Sequence, residues 1–144
     1  MDDSRDLDCK IYVEANLTSI ELAQLLAGAL TGTVAGPQTA PTIEFGGCEV
    51  DVRVNDEADP LRAQDFPDGF LFFHYALEVY PAPGVPREER VKLTAKLLQA
   101  LWSRGFAAIA ACDYEDELPS GGGYKSRPYP WVRTETSVSS SRAV

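Results

Sequence analysis

Chemistry in this chain has few side chains to draw on. The single histidine, His74, sits in an aromatic stretch with Phe72 and Ala76 two residues to either side and Glu78 beyond on the same strand face. An imidazole there could act as a general base if a neighbouring carboxylate such as Glu14 or Asp51 oriented it, with Glu78 beside the same pocket. The competing reading is a histidine that merely fills a strand position. A Ser-His-Asp or Cys-His arrangement would also need His74, yet no serine or cysteine stands in a recognisable nucleophile motif.

The second group is Asp113, Glu115, Asp116 and Glu117, four carboxylates within five residues. Such a cluster can bind a hard cation, do paired acid-base work, or meet a cationic protein surface. The spacing lacks the alternating acids and central glycine of a calcium loop, while magnesium held with a phosphorylated substrate stays open. A solvated acidic turn is the plainer alternative.

Gly121-Gly122-Gly123-Tyr124-Lys125-Ser126 looks superficially like a phosphate loop, but Tyr124 separates glycine from lysine and Pro128 stops a helix from starting. The glycines are expected to act as a flexible hinge that lets Tyr129 and Trp131 dock, for example on the aromatic face of residues 70–80. Cys9, Cys48 and Cys112 follow no metal-ligand spacing and read as buried thiols in strands. Neither a cofactor nor a metal is expected.

These side chains need a frame, and the stretch from Phe66 to Pro119 supplies most of it. Phe70 to Tyr80 reads as a central strand with Leu71, Phe73, Tyr75, Leu77 and Val79 on one face and Phe70, Phe72, His74, Ala76, Glu78 and Tyr80 on the other. A helix over Pro86 to Arg104 follows, with Pro86 at its first position and Glu88 and Glu89 complementing its dipole. Its core stripe is expected to be Val91, Ala95, Leu98, Leu101 and Trp102, ending at Gly105 with Phe106 folded back in a Schellman motif. A last strand spans Phe106 to Cys112.

Upstream, Cys9 to Asn16 alternates as a half-buried strand, and Thr18-Ser19-Ile20-Glu21 fits a capping box. The helix it starts should bury Leu22, Leu25, Leu26 and Ala29 and stop at Gly32. Thr33 to Pro41 reads as a loop. Gly46-Gly47 allows either a hairpin turn or a bulge in one long bent strand, and the unequal arms favour the bulge. Asn55 to Gly69 is a long acidic loop, either mobile or functional.

Strand, helix, strand, strand, helix, strand is the split β-α-β order, so an α+β, ferredoxin-like antiparallel sheet with two helices on one face is expected. The uncovered face would carry Tyr12, Glu14, Glu49, Asp51, Arg53, Phe72, His74 and Glu78. One domain is expected over residues 1–127, followed by an aromatic segment and a disordered tail over 128–144.

Composition narrows function by exclusion. The chain has 144 residues, 44% of them hydrophobic and 24% charged, which suits a folded domain rather than a disordered one. Its net charge of -9 repels nucleic acid phosphates and anionic membranes and favours a basic protein partner, or simply keeps the chain in solution. With no apolar leader or spanning segment, a reduced cytoplasmic setting is expected.

Phe66-Pro67-Asp68-Gly69-Phe70-Leu71-Phe72-Phe73, Leu98-Gln99-Ala100-Leu101-Trp102 and Ala111-Cys112-Asp113-Tyr114-Glu115-Asp116-Glu117-Leu118-Pro119 together resemble small acidic immunity proteins of bacterial polymorphic toxin systems. The resemblance implies a compact cytosolic inhibitor that blocks a toxin domain directly. Physically, Asp113 to Glu117 would then enter a cationic cleft, while Phe72, His74 and Trp131 would add short-range contacts. Two other readings stand beside it: a small enzyme or ligand-binding domain around His74 and Glu78, and a homodimer through the sheet face.

Overall fold

The computed structural model describes residues 7–64, 69–123 and 131. The expectations for Tyr124 to Ser126, for Tyr129 and for the disordered tail within 128–144 lie outside the described residues.

Local sequence signals set the helix ends. The helix α1, Ser19–Leu30, starts on the Thr18 capping box, with the Thr18 side chain accepting from the Glu21 N–H and Glu21 accepting from the Thr18 N–H. It ends one residue earlier than its glycine suggests. Thr31 takes the left-handed conformation at φ 57, and Gly32 donates to the Ala27 carbonyl at 2.8 Å. Gly32 serves packing instead, since a Cβ there would stand 2.6 Å from the Glu44 carbonyl oxygen. The buried face is Leu22, Ala23, Leu26, Ala27 and Leu30, whereas Ala29 is exposed.

The second helix, α2, covers Arg87–Ser103, with Pro86 as its N-cap rather than its first residue. Phe106 donates to Leu101 and Gly105 to Trp102, the paired bonds of a Schellman ending. Leu93, Thr94, Leu97, Leu98 and Leu101 are buried, and the expected Val91, Ala95 and Trp102 pack partly buried at the margin.

The strands are β1 Cys9–Glu14, β2 Thr33–Ala35, β3 Thr42–Phe45, β4 Cys48–Val54, β5 Tyr75–Tyr80 and β6 Ala107–Ala111. They form one antiparallel sheet in the order β2-β3-β4-β5-β1-β6, so the fold is α+β with a six-stranded open sheet. The sheet has six strands rather than the four expected from the sequence. The segment read as a loop contains β2. Gly46 and Gly47, at φ 55 and 83, turn a tight hairpin between β3 and β4 rather than bulging one strand.

Period-two alternation sorts the sheet faces. Ile11, Val13, Ile43, Val50, Val52, Leu77, Val79, Ala108 and Ala110 join the helical leucines in a single core on one side. Across the other side, Lys10 stands opposite Glu78 and Glu78 opposite Asp51, while Tyr12 and Arg53 both face Ala76. That side is not uniformly open: Asp51, Ala76 and Ile109 are buried.

Candidate functional site

The sequence-predicted partner surface comes apart into two. β5 begins next to the end of β1, with Tyr75 opposite Val13, so Phe72 and His74 lie at one end of the sheet. β6 ends next to the start of β1, with Ala111 opposite Lys10, which puts Asp113 to Glu117 at the other end. A strand of this length separates them by roughly 17 Å.

At the first end the chain departs from the long strand expected over Phe70 to Tyr80. Gly69–Phe72 forms a 3₁₀ turn and β5 starts only at Tyr75. The cause is a set of distant hydrogen bonds. The Asn55 side-chain amide donates to the Leu71 carbonyl at 2.9 Å and the Phe73 carbonyl at 2.7 Å, and the Asn55 N–H donates to the His74 carbonyl at 2.8 Å. Asp59 Oδ1 accepts from the N–H groups of Leu61 and Arg62, starting a 3₁₀ turn over Arg62–Gln64. A Cβ on Gly69 would meet the Ala63 carbonyl oxygen at 2.5 Å, so glycine lets the two turns pack directly.

The connection between β4 and β5 is therefore a platform whose ends are pinned to each other. Arg62 lies over the Phe72 ring at 4.2 Å, and Phe70 meets Tyr12 edge-on at 5.4 Å. Phe73 is buried. Val54, closing β4, and Leu61 and Leu71 on the platform are exposed, at 51%, 78% and 39%, and so are the carboxylates Asp56 and Glu57 of the same connection.

His74 is exposed and its ring stacks on Tyr75 at 4.2 Å. Glu14 does reach it, but accepts from the His74 backbone N–H at 2.9 Å rather than orienting the imidazole. Asp51 is committed to Arg53 Nη2 at 2.9 Å and Thr42 Oγ1 at 2.8 Å. Glu78 accepts from the Tyr80 hydroxyl, and a cavity of about 380 Å³ on this face is bounded by Lys10, Arg53, Ala76 and Glu78 without His74. The residues offered as a catalytic pair thus line no shared cavity there.

At the second end the acidic turn is largely occupied with its own structure. Glu115 accepts from the Cys112 N–H at 3.1 Å, and Glu117 accepts from Arg87. Asp113 and Asp116 are exposed, and among the described residues no three potential metal ligands converge.

Behind that turn lies a polar cluster that sequence reading missed. Thr94 donates to the Tyr114 hydroxyl at 2.9 Å, the hydroxyl donates to Asp8 at 2.5 Å, and Arg90 binds the other Asp8 oxygen at 2.6 Å. Burial and the bond to Asp8 push the Tyr114 phenol well above its ordinary range. Cys9 is buried near the same Thr94 and, one register step past Lys10 opposite Ala111, stands across from Cys112, which is half-buried and lies just past β6 rather than in a strand. The neighbouring Cys112 and burial push the Cys9 thiol up, while Cys9 pulls the Cys112 thiol down. A signal existed in the pairing of the first and last strands, but it depended on register.

The triglycine is an ordered turn, not a flexible hinge. Ser120 and Gly121 to Gly123 all have positive φ, and a Cβ on Gly123 would stand 2.7 Å from the Ala108 carbonyl and 3.0 Å from Trp102. The Trp131 ring lies beside Gly123, so this tryptophan sits near β6 and not on the face of β5.

In membrane terms, no helix among the described residues is long and apolar enough to cross a bilayer. The chain matches no protein-family model, no curated protein and no solved structure in the three comparisons.

Proposed function

We propose that this chain is a non-enzymatic acidic binding protein, an inhibitor of the kind that the immunity-protein resemblance implies, and that it grips a basic protein partner through the platform between β4 and β5. One observation carries the reading. Leu61 and Leu71 are exposed on a loop closed by its own hydrogen bonds, Val54 is exposed at the end of β4 where that loop begins, and Asp56 and Glu57 are exposed within it. Exposed apolar side chains on a fixed backbone give short-range affinity at low ordering cost. The carboxylates around them supply long-range attraction for a cationic surface. The acidic turn after β6, with Asp113 and Asp116 exposed, adds to the same field from the far end.

The sheet is read in the same spirit. We read the contiguous order β4-β5-β1-β6, together with α1 and α2, as a split β-α-β unit to which the hairpin of β2 and β3 adds two strands beyond β4.

The test is a paired capture from lysate of the native organism, with the wild-type chain and a Leu61→Asp, Leu71→Asp variant of equal thermal stability. The wild type should retain a basic protein that the variant loses. That protein, expressed alone, should arrest growth, and co-expression of the wild type should restore it. Equal capture by both forms, or a captured protein with no harmful activity, would refute the proposal.

A further inference from the structure

The geometry points to a two-thiol oxidation site: we propose that a hydroperoxide oxidises Cys112 and that Cys9 then closes a disulfide with it, tying the first strand to the acidic turn. The pairing of β1 with β6 runs Glu14 opposite Ala107 through Lys10 opposite Ala111, and one further step puts Cys9 opposite Cys112. Directly opposed residues of an antiparallel pair have Cβ atoms about 5 Å apart, within a small adjustment of the separation that a disulfide requires. Cys112 lies beyond the last paired residue of β6, where the turn can take up the adjustment.

Exposure sets the order of events. Cys9 is 2% exposed, while Cys112 is half-buried and is the thiol an oxidant reaches. The neighbouring Cys9 also draws the Cys112 thiol down, which makes it the readier thiolate of the two. The Cys112 thiolate attacks one oxygen of hydrogen peroxide, an S–O bond forms as the O–O bond breaks, and the departing hydroxide takes up a proton. The Cys9 sulfur then attacks the Cys112 sulfur, the S–O bond breaks, and hydroxide leaves with the Cys9 proton as water. Two thiols have lost two electrons and two protons, and one peroxide has become two waters. Cys48 takes no part: it is buried in β4, two strands from β1, and accepts from the Ala82 N–H.

The consequence falls on the polar cluster. Asp8 directly precedes Cys9 and Tyr114 lies two residues past Cys112, so the bond would fix the Asp8–Tyr114–Thr94 contacts and the base of the acidic turn.

The experiment is hydrogen peroxide titration of the full chain, followed by digestion without reductant and mass spectrometry. The expected product is a reducible crosslinked peptide pair containing Cys9 and Cys112, lighter by two hydrogens than its parts, with Cys48 left as a thiol. In Cys9→Ser the same treatment should leave a Cys112 sulfenic acid that a cyclic dione traps. Crosslinks through Cys48, disulfide-bonded dimers through Cys112, or oxidation of Cys112 to the sulfinic acid in the wild type without closure would each overturn the proposal.

Discussion

Tyr114 shows how a single buried hydroxyl can decide the behaviour of one end of the molecule. Its proton is shared with Asp8, itself bound to Arg90, so the phenol must stay neutral for the chain of bonds to hold. The folded protein keeps that proton at a pH where the unfolded chain releases it. Unfolding therefore releases protons in alkali, and stability present below about pH 10 is lost as pH rises beyond it. Chemical denaturation of wild type and Tyr114→Phe across pH 7 to 11 checks this: the variant should be less stable at neutral pH by about 1–2 kcal/mol, having left one Asp8 oxygen and the Thr94 hydroxyl without this partner, yet lose less with rising pH. Parallel pH profiles would contradict this role. The residues that sequence reading singled out fare differently. His74, Asp51 and Glu117 each proved to be engaged by backbone or side-chain partners that only the tertiary structure brings near.

At the scale of elements, what was legible was local. The capping box at Thr18 and Glu21 and the glycine ending at Gly105 depend on residues within one helical turn, and both formed as read. What was not legible depended on distance along the chain. Phe70 to Phe73 alternates like a strand, but Asn55, sixteen and eighteen residues earlier, captures the Leu71 and Phe73 carbonyls and holds a 3₁₀ turn. Gly46-Gly47 allowed a bulge or a hairpin, the unequal arms favoured the bulge, and the pairing of β3 with β4 made it a hairpin instead. Likewise the meeting of Cys9 and Cys112 required the register of strands from opposite ends of the sequence.

The Asn55 bonds give the platform a specific weak point. Asn55→Ala removes both donors and leaves two carbonyls to be solvated, so global stability should fall by about 1–3 kcal/mol. Limited proteolysis should show faster cleavage between β4 and β5 than elsewhere, because this connection loses the bonds that close it. Unchanged cleavage there would mean that the 3₁₀ packing, not Asn55, holds the loop.

For the whole molecule, the net charge of -9 and the placement of acidic groups at both ends of the sheet bear on encounter rather than on fold. Long-range attraction is screened over about 8 Å at physiological salt, so it speeds approach without choosing the contact. In the proposed complex the exposed leucines choose the contact, which buries the platform end of the sheet.

Hydrogen exchange of the chain, with and without its captured partner, addresses that directly. The account predicts slowed exchange over residues 54–64 and 69–74, with little change through α1 and α2. Protection confined to Asp113 through Glu117, or to the helices, with the platform exchanging as in the free protein, would contradict it.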